Sequence, residues 1–391
     1  MCTRAKALFA VTAIVLAQRA VPATASPMRI IVADMGQADA TLVLKDDKTL
    51  LIDAGEVTGT NSRKFTHLAD LLRDNMGTRK TIDYVVITHY HMDHMGKYHK
   101  YANGTEFSSG LFGIVEESGY KIGTLIDRGN APFAPQSEIF TNYLARTAQW
   151  LTDGRLGRRI TATVGTGQID LGPEVTVRIA AVNGAAGNGK RVHDVLLEQQ
   201  PSLFDDCPPS ENDFSVAMEI SQGKFEFFTA GDLTGNAEDE PYLRRSFGSG
   251  SCTMYTNIEQ ALLDERVVDD VEVYRADHHG SGHSSSPKFL EALDPEFTVI
   301  SCGGGYDHPE HDVSLRMART SWLVVTDGVS AQEWPNGFEI RKSDIVGDVD
   351  IEVKSGGGCY RINNQWHRAY SDGDERGGDD KGEERRPGSC T

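Results

Sequence analysis

Apolar residues fall along this chain in short runs of strand length: Met28 to Ala33, Ala40 to Lys45 and Thr49 to Asp53. The next stretch changes period. Leu68, Leu71 and Leu72 recur at helical spacing and predict a helix from Arg63 to Asn75. Tyr84 to Thr88 is again an apolar strand. Further strands are predicted at Val175 to Val182, Phe214 to Ser221, Phe225 to Ala230, Val271 to Arg275, Phe297 to Ser301 and Trp322 to Thr326. Helices are predicted over Ser137 to Leu151, Ile258 to Arg266, Pro287 to Leu293 and Val313 to Arg319. Strands punctuated by helices imply two sheets packed face to face with helices outside, an α+β sandwich. Two polar, Gly-rich stretches break the rhythm, Gly184 to Glu211 and Thr234 to Asn257. Loops of that length in a compact domain tend to be functional, and both are expected at the rim of a site.

The chemistry sits where one strand ends. Tyr84 to Thr88 runs into His89-Tyr90-His91-Met92-Asp93-His94, four potential metal ligands within six residues. Alternate side chains of an extended segment point the same way, so His89 and His91 can clasp one ion. Asp93 and His94, where the chain turns into a helix, face a second. Imidazoles with a carboxylate suit zinc, and manganese or iron where oxygen dominates. Three other strand ends carry matching chemistry. Phe225 to Phe228 leads to Gly231-Asp232, whose carboxylate could give one oxygen to each ion. Val271 to Arg275 leads to Asp277-His278-His279-Gly280-Ser281, offering one ligand and one proton donor or phosphate contact, with either histidine in either role. His308 precedes Pro309, which is expected to start a helix, so His308 lies where anions are favoured. His283 and His193 are expected in solvent.

Composition narrows the partners. The net charge of −18 over 391 residues argues against the broad basic face of a nonspecific nucleic-acid binder. It does not argue against cutting a phosphodiester at a dication-charged site. Arg4 and Lys6, the apolar run from Ala7 to Ala17, and Ala23-Thr24-Ala25 before Ser26 form a signal-peptide pattern over residues 1–25, which implies a secreted or periplasmic protein. Past Cys2 there remain Cys207, Cys252, Cys302, Cys359 and Cys390. In an oxidising compartment these allow up to two disulfides, with Cys207 and Cys252 one candidate pair and Cys302 a buried thiol. Residues 371–391 are rich in Asp, Glu, Arg and Gly and read as a disordered tail behind a domain over 28–370. Its deletion is expected to leave activity unchanged.

Taken in order, Asp34-Met35-Gly36-Gln37-Ala38-Asp39, Asp53-Ala54-Gly55, the His-x-His-x-Asp-His motif, Gly-Asp and His-His-Gly-Ser resemble the metallo-β-lactamase superfamily. Within it they are similar to the hydrolase domain of ComEC-type competence proteins. The resemblance implies a four-layer αβ/βα sandwich with two divalent ions, zinc or manganese, between the sheets at one end. It implies His89 and His91 on the first ion, Asp93 and His94 on the second, Asp232 bridging, and His278 or His279 completing the second. Asp53 would orient a ligand histidine, and Asp34 and Asp39 would brace the region. One departure matters. Where many members carry Gly-His-Thr before the Gly-Asp strand, this chain reads Glu211-Asn212-Asp213, so the first ion lacks a strong ligand unless His193 supplies it. That argues against thioester or lactone hydrolysis. Asp232, in place of the Cys of common zinc β-lactamases, argues against antibiotic hydrolysis. Too few residues separate Asp232 from His278 for the inserted domain of the RNA-processing branch.

The expected function is an exported phosphodiesterase or nuclease. A hydroxide held between two metals would attack phosphorus, with Asp93 at the centre and His279, His278 or His308 neutralising charge or protonating the leaving group. The substrate is a phosphodiester, either nucleic acid or something small such as a cyclic nucleotide or a phosphocholine-decorated polymer. A choline pocket would need an aromatic cage, for which Tyr90, Tyr98, Tyr101 and Trp334 are candidates. Carbon-ester or lactone hydrolysis on the same metals, and a non-catalytic metal-binding surface protein, are the alternatives.

Overall fold

A computed structural model describes residues 26–56, 64–238, 240–248, 250–303, 308–326, 347–362, 364–370 and 390. The signal-peptide pattern, Trp334 and all of the acidic tail except Cys390 lie outside the described residues. Four strands open the fold: β1 (Met28–Val32), β2 (Thr41–Lys45), β3 (Lys48–Ile52) and β4 (Thr81–Ile87). β2 and β3 form a hairpin that turns at Asp46, whose φ of 53° is one that Asp tolerates better than most residues. β3, β4, Lys121–Asp127 and Leu156–Thr161 then run parallel, while Val349–Val353, Cys359–Ile362 and Gln365–Arg368 extend the other edge into nine strands. The second sheet pairs Val175–Val182, Ala217–Gln222 and Phe225–Thr229 antiparallel. It continues in parallel through Val273–Arg275, Phe297–Ile300 and Trp322–Val325.

Alternation along β1 explains the layering. Ile30 and Val32 join a core shared with Val177, Ile220, Phe227 and Val299 of the second sheet. Ile31 faces the other way, into a core with Leu68 and Leu72 of α1 (Lys64–Met76) and with Tyr143 and Trp150 of the Glu138–Asp153 helix. The outer face of the second sheet is covered likewise by Ile258, Leu262, Phe289, Leu290, Val313 and Met317 from three helices. Both faces of each sheet are therefore apolar, and the result is the expected four-layer α+β sandwich.

Several boundaries move for physical reasons. The strand expected from Phe214 starts at Ala217, because Glu211–Phe214 forms a 3-10 turn capped by the Ser210 side chain. The helix expected at Pro309 begins at His311, and His308–Pro309 is a cis peptide ahead of it. Both stretches read as loops carry structure. Within Gly184–Glu211 lies a helix, Val192–Gln199, whose Leu196 packs on Phe204, Cys207 and Met254. Within Thr234–Asn257 lies a two-stranded ribbon, Tyr242–Ser246 against Cys252–Thr256. Cys207 bonds to Cys252 and Cys359 to Cys390, leaving Cys302 a buried thiol. Among the described residues no helix is long and apolar enough to cross a membrane.

Candidate metal centre

The parallel strands of both sheets end on the same side, and every candidate ligand follows one of those ends. β3 delivers Asp53, β4 delivers His89, Phe225–Thr229 delivers Asp232, and Val273–Arg275 delivers His278 and His279. Backbone hydrogen bonds knit these ends together: Ala54 N donates to His94 O, Asp39 N to Asp93 O, and His278 N to Gly231 O. Gly55 is required by this closeness, since a Cβ there would sit 1.6 Å from the Asp93 carbonyl oxygen. His278 and His279 both adopt left-handed backbone angles, φ 48° and 54°, a strain that fans their rings in different directions.

Those directions divide the donors into two groups around Asp232. Its Oδ2 lies 3.8 Å from His89 Nε2 and 3.6 Å from His278 Nε2. His91 Nδ1 is 3.0 Å from His89 Nε2, so His89, His91 and Asp232 form one candidate group. Asp232 Oδ1 instead lies 2.9 Å from His94 Nε2 and 3.6 Å from His279 Nε2, and Asp93 Oδ2 is 3.6 Å from the same His279 nitrogen. One carboxylate faces both groups.

Outer contacts aim the rings. His94 Nδ1 donates to Asp53 Oδ2 at 2.8 Å, and Asp53 also accepts from the Thr88 amide and hydroxyl. His279 Nδ1 donates to the Ser301 carbonyl at 2.9 Å. Both rings thereby turn Nε2 toward Asp232. Asp39 also falls within the second group by distance. It lies on the Nδ1 side, however, 3.6 Å from His94 Nδ1 and 4.0 Å from His279 Nδ1, and it pairs with the buried Arg275 guanidinium. We place Asp39 behind the rings as a brace, because an ion bound through Nε2 would be on the opposite side. Asp34 is one step further out, its Oδ1 accepting from Gly36 N.

The donor set fits divalent ions. His94 Nε2, His279 Nε2 and Asp232 Oδ1 are buried without a hydrogen bond inside the protein, the condition that bound cations relieve. Burial, then the neighbouring His94, holds His89 well below the usual imidazole range, and burial takes His278 down to about 3, so both are neutral. Burial works to raise Asp232 and Asp93, but the histidines around them prevail. Asp232 falls well below the carboxylate range, chiefly through His94, and Asp93 falls to about 2 through the neighbouring His279. Ionised carboxylates and neutral imidazoles are the ligating forms. Burial works to lower His94 and His279 too, but Asp232 and their other carboxylate neighbours hold both above the usual imidazole range. These two rings would therefore release a proton as an ion binds.

Other residues stand where the sequence did not put them. His193 is fully buried and bonds Asp213 at 3.0 Å, so it is neither solvated nor a ligand to this centre. Asn212 does reach the centre, its Nδ2 3.2 Å from His278 Nε2. His308 stands at the edge, its ring centroid 5.5 Å from that of His278. His283 is half-buried and stacked on Tyr255 rather than solvated. Of the cage candidates among the described residues, Tyr90 and Tyr98 are buried, Tyr90 bonding Asp127, while Tyr101 is exposed. Arg275 and Arg128 carry no role in the sequence reading, although Arg275 ends the otherwise apolar strand Val273–Arg275 and Arg128 directly follows Lys121–Asp127, a placement at strand ends that could have found them. Arg128 is fully buried and bonds Glu211 through Nε at 2.7 Å and Nη2 at 2.6 Å, holding the turn that carries Asn212.

A family model described as "Metallo-beta-lactamase superfamily" matches residues 33–112. No curated protein matches the sequence. Solved structures similar in shape include the metallo-beta-lactamase fold protein YhfI from Bacillus subtilis, at 10% identity and TM-score 0.41, covering 76% of this chain and 96% of that one. Unliganded yeast PDE1 aligns at 11% identity and TM-score 0.40, covering 77% and 97%. CmlA, a diiron β-hydroxylase from Streptomyces venezuelae, aligns at 14% and 0.38, covering 78% and 54%. Likenesses this distant say nothing about the reaction. The matched segment spans Asp39, Asp53 and the whole His-x-His-x-Asp-His motif, and the chain thus carries a metallo-β-lactamase superfamily segment inside a sandwich of that fold.

Proposed function

We propose that this chain is an exported binuclear metal-dependent phosphodiesterase acting on nucleic acid. The observation that carries the binuclear reading is Asp232, whose two oxygens face two separate donor groups. His89, His91, His278 and Asp232 Oδ2 would hold one ion; Asp93, His94, His279 and Asp232 Oδ1 the other. On this assignment both members of the His-His pair are ligands, and His278 takes up the place that Asn212 leaves short. Two such ions supply Lewis acidity and lower the pKa of bound water toward neutrality. The remaining work falls to the protein. Asp53 and Ser301 keep Nε2 of His94 and His279 forward, Arg275 offsets the charge of Asp39, and His308 at the edge is the group left to donate a proton to a departing oxygen. The phosphodiester class rests on the motif order, which resembles ComEC-type hydrolases, and on Asn212 standing where ester and lactone hydrolases place a histidine. Export rests on the signal pattern of residues 1–25, and two disulfides suit an oxidising compartment.

The test is turnover of bis(p-nitrophenyl) phosphate by protein recovered from the medium or periplasm, after chelation and again after adding zinc or manganese. Metal-restored turnover is expected, with Asp93→Ala and Asp232→Ala each losing at least about a thousandfold while remaining folded. Turnover retained in both variants would end the metal reading. Hydrolysis of lactones but of no phosphodiester would transfer the site to carbon esters.

A further inference from the structure

The two groups of candidate ligands differ in how open they are. His91 is exposed and the His278 side chain keeps 14% of its surface in solvent, whereas His94 and His279 keep 0% and 2%. A molecule arriving at the centre therefore meets His91 and His278 first. The side chain set against His278 is Asn212, itself only 3% exposed.

Asn212 is held from both sides. Its N–H donates to Ser210 Oγ at 3.2 Å, and its carbonyl accepts from Ser215 N at 3.1 Å. Before it, Glu211 is gripped by Arg128. After it, the fully buried Asp213 accepts from His193 Nε2 at 3.0 Å, from the Thr234 hydroxyl at 2.8 Å and from Thr256 N at 3.1 Å. Those partners belong to the Val192–Gln199 helix, the turn after Asp232 and the strand Cys252–Thr256. Separate segments of the chain thus fix where the Asn212 side chain starts.

The amide at its tip is not used by the fold. Nδ2 lies 3.2 Å from His278 Nε2 and 3.4 Å from His278 Nδ1. The in-plane axes of the two ring nitrogens diverge, so a group almost equidistant from both lies on the axis of neither. His278 therefore takes no amide hydrogen squarely. Oδ1 is buried with no hydrogen-bond partner among the described residues. A buried amide in that condition calls for a partner from outside the protein. Neither buried guanidinium of this region is available in its place. Arg275 is committed to Asp39 and the Gly231 carbonyl, and Arg128 to Glu211.

We propose that Asn212 is a catalytic residue, its Nδ2 donating to the phosphoryl oxygen that gains charge as hydroxide attacks phosphorus. The donor is neutral and is fixed in place before substrate arrives, so it stabilises the developing charge without reorganising and without titrating. The inference deepens the phosphodiesterase reading and rests on it for the substrate. The donor itself would serve any oxyanion formed at the open side of the centre.

The test uses Asn212→Ala and Asn212→Asp, the second keeping the shape of the side chain in case the first does not fold. Each is expected to lower kcat for bis(p-nitrophenyl) phosphate about a hundredfold with KM little changed, the signature of a contact made in the transition state. Zinc titration of chelated Asn212→Ala should give the wild-type stoichiometry and affinity. A lost ion there would make Asn212 a ligand and overturn the donor role. Orthovanadate binding to the zinc-loaded proteins needs no turnover, because its five-coordinate form resembles the transition state. Its affinity is expected to fall about tenfold or more in either variant. That fall, with no diester cleaved by any form, would keep the donor and remove the phosphodiesterase reading alone. Wild-type kcat in both variants, or equal vanadate affinity in all three proteins, none included, overturns the proposal.

Discussion

At the scale of single residues the centre depends on which ring nitrogen carries a proton. Asp53 and Ser301 accept from Nδ1 of His94 and His279, fixing the ring planes before any ion arrives and leaving Nε2 as the nitrogen that turns to an ion. Asp53→Asn keeps the shape but removes the charge that supports His94. It is expected to weaken metal binding or activity roughly 10- to 100-fold with little change in fold, measured by zinc titration alongside circular dichroism. Zinc affinity equal to wild type would show that Asp53 only shapes the loop. The His-x-His-x-Asp-His motif was legible because adjacency forces its residues together. Asp39 was legible as a neighbour, but its pairing with Arg275 joins residues far apart in sequence and had no local sign.

At the scale of elements, the 3-10 turn Glu211–Phe214 shows how an unremarkable segment reaches the centre. Glu211 is gripped by Arg128, also accepts from Tyr90 N, and so ties the Asn212 turn to the end of the Lys121–Asp127 strand. Arg128→Met would leave the Glu211 carboxylate without its counter-charge. A loss of about 3–5 kcal/mol in urea unfolding is expected, and pairing it with Glu211→Gln should restore part of that loss. A double variant no more stable than the single one would mean that packing of the Arg128 stem matters more than its charge. The helix Val192–Gln199 and the ribbon were read as loops because their apolar residues are few. Each becomes stable only by packing on the other, around Cys207 and Met254.

Across the whole molecule, the last strands close the first sheet and carry a buried titratable group. His367 packs against Phe297 and Tyr360, ring centroids 4.9 and 5.4 Å away, and burial lowers its pKa below the ordinary 6.5. The unfolded chain therefore takes up a proton at His367 at a higher pH than the folded one. Its contribution to stability is complete above about pH 6.5 and is lost as pH falls toward the folded value. Melting curves at pH 7.5 and 5 should show a smaller acid-induced drop in Tm for His367→Phe than for wild type, and equal drops would remove His367 from the account. The same region holds the Cys359–Cys390 bond, so a deletion of residues 371–391, expected from sequence to be silent, also removes a covalent tie. The part of that expectation that concerns activity stands apart from the part that concerns stability.

The sequence by itself determined the sandwich and the donor types. Period-two and period-3.6 patterns fix which face of each element is apolar, and chemistry at strand ends is local information. It left open which of His278 and His279 meets which group, whether His193 and His283 are solvated, and what elements the long insertions form. Only the tertiary structure decided these. A side chain's direction at a left-handed turn, and the burial of a ring beneath a distant ribbon, are set by contacts between segments that no sequence window contains.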